Sequence, residues 1–370
     1  MRILIATGIF PPEIGGPATY TKLLLEKLPE DFLAKVLTYG EAPAGDADRV
    51  FRVSRRLPKG LRHLIYFIKA IQLGRNADII FAQDPISAGL PAMLAAKLSK
   101  KKFVLKIVGD YAWEQGVQRF GVKELPDEFQ KKRYGLPVKI LRFFQQFTAK
   151  NADLLIVPSE YLKKIVLGWG VESYKIRVIY NGIDLPELKS SVREKLIISV
   201  GRLVPWKGFE ILLEVFSGLI KDFPDWKLVI IGDGPELNKL KVKSEKLKVL
   251  DKVIFTGALS KSELNAYLSR ASIFALNTGY EGFSHQIIEA MGAGLPVLTT
   301  KVGGNSEVIE SGKNGLLAEY NNIQSFSLAL KKLMTDSRLR EKLSETARNT
   351  AKNFSKEKML RELMDLLKKL

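Results

Sequence analysis

The sequence predicts an α/β protein of two Rossmann-like domains, each a doubly wound parallel sheet. Three observations predict it. Short apolar runs alternate with longer amphipathic stretches along nearly the whole chain, the pattern of repeated strand–helix units. Many of the apolar runs end in glycine-containing loops, as strands do where they turn into a helix at the edge of an open sheet. The chain has 370 residues, room for two domains of ordinary size, each with its own core.

Taken in order, Ile3–Ala6 is the first expected strand, and a helix over Pro17–Lys27 follows Gly15-Gly16. Strands are expected at Ala34–Thr38, Arg49–Val53, Ile79–Ala82 and Phe103–Val108, and later at Leu154–Val157. Helices fit Leu61–Leu73, Ile86–Leu98 and Leu136–Lys150. The run Lys175–Tyr180 ends at Asn181-Gly182, a turn signal. The domain junction is placed in Ile183–Arg193, so the expected units are 1–183, 184–352 and a C-terminal helix over 353–370. Strand then alternates with helix to about Lys332. In the last stretch, Met359, Leu360, Leu363, Met364, Leu366 and Leu367 share one helix face.

Composition narrows the function. Hydrophobic residues make up 46% and mean hydropathy is near zero, so the chain is globular. No apolar run approaches the roughly 20 residues of a membrane span. The opening run is short for a signal-peptide core, and the expectation is a cytoplasmic protein. Cysteine is absent, which excludes disulfides and thiolate–zinc sites, and the two histidines, His63 and His285, do not make a histidine-rich metal site. No metal and no cofactor is expected.

The second half carries the chemistry. Glu281-Gly282-Phe283-Ser284 leaves the carboxyl end of the expected strand Ser272–Leu276 and enters a helix that contains Glu289. Open parallel sheets hold ligands at that edge. Ser284 reads as an N-cap, and free N–H groups after it suit an anion. Two carboxylates eight residues apart could take hydroxyls at either end of a ligand whose middle is anionic. An exposed loop glutamate and an ordinary helix glutamate would give the same pattern. Gly201-Arg202 and Lys207 follow the strand Leu196–Val200. An arginine fork and a lysine point charge on one loop can clamp a diphosphate. Gly232-Asp233-Gly234, Gly257-Ala258-Leu259 and Gly303-Gly304 with Glu307 end three further strands at the same edge.

With these motifs the chain resembles a family 4 retaining glycosyltransferase of the GT-B fold. The matching residues are Gly15-Gly16, Gly201-Arg202 with Lys207, Gly232-Asp233-Gly234-Pro235, Glu281 with Glu289, and Gly303-Gly304 with Glu307. The resemblance runs from Met1 to about Phe354 and is strongest in the second half. It implies transfer of a hexosyl unit from a nucleotide-diphosphate sugar, UDP- or GDP-linked, to an acceptor hydroxyl, with retention of configuration. It implies a glycan or lipid-linked acceptor, and a C-terminal helix that packs back on the first domain. By the same resemblance Glu281 would contact sugar hydroxyls and Glu289 the ribose. Backbone near Gly232, Asp233, Gly234 and Leu259 would line the base pocket, and Gly15 and Gly16 would let the first domain approach the donor. Arg202, Lys207 and the helix start at Gly282, Phe283 and Ser284 would meet the leaving diphosphate's charge without a metal. Many family members carry a histidine after the fourth strand of the first domain. Here Phe103–Val108 leads into Gly109-Asp110, so Asp110 is the candidate for that place, with a simple turn cap as the other reading.

Two rivals stand beside this reading. A GT-B epimerase or hydrolase would turn over the nucleotide-sugar with no acceptor. A nicotinamide dehydrogenase would need Gly-x-Gly-x-x-Gly after the first strand, where this chain has Thr7-Gly8-Ile9-Phe10-Pro11-Pro12.

The net charge of +18 calls for a partner or a surface. Segments 49–75 and 129–147 hold much of it, with no acidic residue in either and leucine, isoleucine, tyrosine and phenylalanine interleaved. Basic residues around an apolar stripe fit a helix on an anionic bilayer, at about 1 kcal/mol per basic residue near the surface. A solvated basic helix face over an ordinary core is the other reading. No nucleic-acid motif accompanies the charge.

Overall fold

Seven strands form the first sheet: β1 (Arg2–Ala6), β2 (Leu33–Tyr39), β3 (Val50–Val53), β4 (Ile79–Ala82), β5 (Lys102–Lys106), β6 (Leu154–Val157) and β7 (Ile176–Val178). All pairs are parallel, in the order β3-β2-β1-β4-β5-β6-β7. The second sheet holds β8 (Leu196–Val200), β9 (Lys227–Ile231), β10 (Val253–Gly257), β11 (Ile273–Leu276), β12 (Val297–Thr300) and β13 (Leu316–Ala318), in the order β10-β9-β8-β11-β12-β13, again all parallel. Central strands such as β4, β6, β8, β11 and β12 are buried along their whole length, which is why they read as continuous apolar runs rather than as alternating patterns.

The computed structural model describes residues 1–13, 15–41, 48–185 and 192–370. They fall into two units, Met1–Tyr180 with Leu360–Leu370, and Asn181–Met359. The middle of the expected junction, 186–191, lies outside the described residues. Around it the boundaries differ from 183 and 353. Ile183 N–H donates to the Phe354 carbonyl at 2.9 Å and Asp184 pairs with Lys356, so these residues belong with the second unit. Leu360–Leu370 belongs with the first, where Lys368 meets Asp31 at 3.0 Å and covers the ring of Phe32.

In the first unit the helices are α1 (Gly16–Lys27), α2 (Lys59–Gly74), α3 (Gly89–Leu98), α4 (Tyr111–Arg119), α5 (Pro126–Lys131), α6 (Leu136–Lys150) and α7 (Glu160–Gly168). One core cluster joins Leu4, Ile80 and Phe103 of the sheet to Tyr66 of α2, Met93 of α3 and Ala149 of α6. These three helices therefore cover one face of the sheet side by side, α3 touching both neighbours. Helix α3 starts at Gly89 rather than Ile86, because the chain after β4 first makes a turn held by Asp84. Strand β5 stops at Lys106, short of Val108.

The second unit carries α8 (Phe209–Leu219), α9 (Leu237–Lys246), α10 (Lys261–Arg270), α11 (His285–Gly292), α12 (Asn305–Val308), α13 (Ile323–Thr335) and α14 (Ser337–Ala351). The start of α15 (Lys356–Leu367) follows. Ser260 and Glu263 form a reciprocal capping box that fixes the start of α10. No described helix is long and apolar enough to cross a membrane.

Candidate active site

In the second sheet the chain runs outward from β8 to β9 and β10, then restarts at β11 and runs the other way. The crevice between β8 and β11 is thus the switch point, where open α/β sheets bind ligands beyond the carboxyl ends of their strands. The loops that flank it carry Gly201–Gly208 and Asn277–Ser284.

Lys207 and Glu281 meet across this crevice. Lys207 Nζ lies 2.5 Å from Glu281 Oε1, with the two side chains 12% and 8% exposed. Removing two charges from water costs more than most such pairs return in stability, so the pair is poor evidence for a structural strut. Two glycines make its geometry possible. Gly208 has φ of 59°, and a Cβ there would lie 1.8 Å from the Asn277 carbonyl oxygen. Gly303 has φ of 53°, and a Cβ there would lie 2.1 Å from the carbonyl oxygen of Glu281 itself. The neighbouring Gly304 N–H donates to that same oxygen at 2.9 Å. The two loops are also tied directly: Gly279 N–H donates to the Trp206 carbonyl at 2.6 Å, and the Thr278 hydroxyl donates to it at 3.3 Å. Thr278, Thr300 and Asn305 were not singled out in the sequence. The Thr300 hydroxyl donates to the Thr278 carbonyl, and Asn305 Nδ2 to the Thr300 carbonyl at 3.1 Å, so both support the Glu281 loop from below.

Arg202 is on the same loop as Lys207 but is exposed, and its side chain makes no hydrogen bond or ion pair among the described residues. One cation of the expected clamp is therefore held by a carboxylate and the other stands open. Gly201, Gly232, Asp233 and Gly234 are spent on backbone. Gly201 N–H donates to the Ile231 carbonyl, Leu203 N–H to that of Asp233, and Gly232 N–H to that of Gly257, at 2.9–3.0 Å. The Asp233 carboxylate accepts from Gly234 N–H at 2.7 Å. Leu259 is half-buried on the loop that leads into α10.

Glu289 projects from α11 and pairs with Lys261, the first residue of α10. No motif in the sequence pointed to Lys261. Gly282 and Phe283 are buried, and Phe283 packs on Phe354 with ring centroids 5.5 Å apart. Ser284 stands at the N-cap position but does not cap. Its backbone is extended, its hydroxyl lies 3.5 Å from Gln286 Oε1, and it accepts from no helix N–H. The first-turn N–H groups of α11 are left without an intrahelical partner, which keeps the helix start available to an anion.

In the first unit Asp110 follows β5, the fifth strand, and is fully buried. Oδ1 accepts from Trp113 N–H at 3.0 Å and from Gln145 Nε2 at 2.9 Å, and Oδ2 from Gln130 Nε2 at 2.8 Å. With three donors of its own fold around it, the Asp110 carboxylate caps the start of α4. Gln83 and Asp84 follow the fourth strand instead. Gln83 Nε2 donates to the Thr21 hydroxyl. Asp84 caps the turn before α3 through Ile86 N–H at 2.9 Å and Ala88 N–H at 3.1 Å, and burial raises its carboxyl above the usual range. It lines a cavity of about 270 Å³ with Gly8 and Ile9 after β1 and Tyr111 and Glu114 of α4, at the first sheet's own switch point between β1 and β4. Gly15 is extended at the N-cap of α1 and Gly16 opens that helix; a Cβ on Gly15 would lie 2.6 Å from the Ile9 side chain.

Two parallel-sheet Rossmann-like units are the architecture of the GT-B class of sugar-transferring enzymes. The model of the family "Glycosyl transferases group 1" matches residues 183–350, and that of "Glycosyltransferase Family 4" matches residues 14–187. The chain belongs to these glycosyltransferases. An uncharacterized glycosyltransferase of Methanocaldococcus jannaschii is 28% identical over 97% of this chain and 95% of its own length. The GDP-mannose-dependent alpha-(1-6)-phosphatidylinositol monomannoside mannosyltransferase of Mycolicibacterium smegmatis is 23% identical over 91% of this chain and 90% of its own. The crystal structure of Anabaena HepE in complex with UDP and glucose shares the fold, with a TM-score of 0.82 over the whole of both chains at 20% identity.

Proposed function

We propose that this glycosyltransferase moves a hexosyl unit from a nucleoside-diphosphate sugar to a hydroxyl of a lipid-linked acceptor, with retention of configuration and without a metal. The observation that carries the reading is the Lys207–Glu281 pair at the switch point, with Arg202 on the same loop and unpaired among the described residues. In the pair, Glu281 compensates the charge of Lys207. A bound diphosphate supplies a replacement counter-charge to Lys207 and a second one to Arg202. Glu281 is then free to accept from the sugar hydroxyls. As the glycosidic bond breaks, negative charge grows on the leaving diphosphate, and the two cations and the start of α11 stabilise it. Glu289 accepts from the ribose, and the Gly257–Leu259 loop and the turns at Gly201 and Gly232–Gly234 border the base. Asp110 has no part in the step. The lipid-linked acceptor is supported by the mycobacterial relative, whose name specifies a phosphatidylinositol mannoside. Because that relative is named for GDP-mannose and HepE was crystallised with UDP, the base stays open between the two.

The test is a thermal-shift series with UDP, GDP, UDP-glucose, UDP-N-acetylglucosamine and GDP-mannose, with and without EDTA. A ligand at 100 times its Kd should add about 2.7 kcal/mol. The expected result is a shift with one nucleotide series, unchanged by EDTA and reduced in Glu289→Ala. No shift with any nucleotide overturns the donor site. Turnover of the donor at full rate with no acceptor present would replace transfer by hydrolysis or epimerisation.

A further inference from the structure

We infer that the outer faces of α2, α3 and α6 form one docking surface for an anionic phospholipid bilayer. The inference uses none of the residues placed in the donor site, so it goes beyond the transferase reading and stands or falls separately from it.

Helix α6 is amphipathic in the reverse of the usual sense. Leu136, Ile140, Phe143 and Phe147 fall at helical spacing on one face, and all four are exposed, Leu136 by 69% and Phe143 by 60%. The opposite face, which packs inward, is Val138, Gln145, Thr148 and Ala149. Four large apolar groups thus point out of the fold, Leu141 and Phe144 are half-buried, and the fully buried positions are smaller or polar. Phe143 and Phe147 are stacked at 5.9 Å, which turns their rings into one apolar plate. On α2 the buried side is Tyr66, Ala70 and Gly74, while Leu61, Leu64 and Ile68 lie outward, Leu64 being 53% exposed. Between them α3 adds Leu94 and Leu98. Because the three helices cover one face of one sheet, with α3 in the middle, their outer faces make up one side of the unit.

This is not the usual scatter of single exposed leucines. Of the 22 large apolar side chains exposed among the described residues, nine are on these three helices, which hold 41 of the 370 residues. Contiguous apolar patches on a soluble protein mark a binding surface.

The charge selects the occupant. The three helices contain seven lysines and arginines and no aspartate or glutamate. Lys139 and Lys150 flank the α6 stripe, exposed and in no ion pair among the described residues. Lys100, Lys101 and Lys102 follow α3. A second copy of the chain would bring the same positive face against itself. An acidic headgroup layer over an apolar interior matches both halves of the surface at once: lysines reach phosphates while leucine and phenylalanine enter the acyl boundary. Lipid-linked acceptors are found at such a layer.

The test is flotation of the full chain with vesicles of phosphatidylcholine, alone and mixed with phosphatidylglycerol. Partition into the mixed vesicles should exceed that into phosphatidylcholine at least tenfold and weaken as salt is raised. The triple variant Leu64→Gln/Ile140→Gln/Phe143→Gln should lose at least tenfold of that binding while keeping the wild-type melting temperature and nucleotide-induced shift, since all three side chains are exposed. Equal partition into both vesicle types overturns the inference. So does binding that the triple variant leaves unchanged, which would be charge alone. Absence of vesicle binding also overturns it, and a dimer in light scattering that the triple variant abolishes would assign the face to self-association. The nucleotide shift, read on the same samples, reports the donor site independently of all these outcomes.

Discussion

Glu281 and Asp110 begin as the same sequence signal, a carboxylate on the loop that leaves a central parallel strand, and they end differently. Asp110 is surrounded by neutral donors fixed in its own unit: one backbone N–H and two glutamine amides. Glu281 faces one cation, Lys207, an ammonium at the end of a flexible four-carbon stem. A carboxylate satisfied by fixed dipoles cannot release them to a ligand without leaving buried donors unpaired. One satisfied by a counter-ion can exchange it, because an incoming phosphate restores the cation's partner and incoming hydroxyls restore the carboxylate's. Position at the sheet edge makes a carboxylate available to a ligand. The mobility of its partner decides whether it can act.

The strongest way to break this contrast is Lys207→Ala. The expected loss is about 10²-fold or more in kcat, with KM changed much less, because the charge Lys207 meets grows in the transition state. Stability should fall by about 3–5 kcal/mol as well, since Glu281 is left buried without its cation. Adding Glu281→Gln should return most of the stability and none of the rate. A Lys207→Ala enzyme with normal kcat would make the pair a strut, no different in kind from Asp110.

Lys106 sharpens the contrast from the first unit. It is 1% exposed at the end of β5, 3.7 Å from the centre of the Tyr20 ring, and burial lowers its ammonium to about 7. The unfolded chain binds this proton below about 10.4, whereas the folded one resists it until about 7. The stability present above the unfolded value is therefore lost as pH falls through that window. Lys106→Met should raise stability near pH 6 by on the order of 2–4 kcal/mol and by nothing near the upper end, with kcat unchanged. Denaturant melts at the two pH values check it; equal gains at both would remove titration as the cause.

Asp110→Ala comes next. Loss of the cap and of two amide partners should cost about 1–3 kcal/mol in urea unfolding, and kcat at a temperature where the variant is folded should match wild type. A tenfold loss of kcat with an unchanged melting temperature would return Asp110 to the reacting centre.

Much of this is legible in the sequence. β4, β6 and β8 fall on the residues expected of them, because a strand buried on both faces leaves an unbroken apolar run. Lys207 and Glu281 were both candidates, although nothing in the sequence says that residues 74 apart touch. What could not be read is just as physical. The two side-chain donors around Asp110 come from α5 and α6, whose glutamines carry no motif. Lys261 looks like any lysine at a helix start. In α6 the period was visible but its direction was not: a 3.6-residue repeat says which residues share a face, and only packing shows that Phe143 faces out and Gln145 in.

The smallest expected effect concerns Glu289, and it separates binding from chemistry within one site. Its partner Lys261 is 47% exposed, so the pair should contribute under about 1 kcal/mol to folding, and Glu289→Ala should melt close to wild type. A carboxylate that holds the ribose does so equally in the ground and transition states. Its loss should therefore raise the donor KM by about tenfold, near 1.4 kcal/mol, and leave kcat within about twofold. Lys261→Ala removes the competitor for that carboxylate and should leave KM unchanged or lower it. Should Glu289→Ala lower kcat and spare KM, Glu289 would belong with Lys207 in the step itself. Should neither constant move, the Lys261–Glu289 pair would be a surface contact of α10 and α11, and the ribose would have to be held elsewhere.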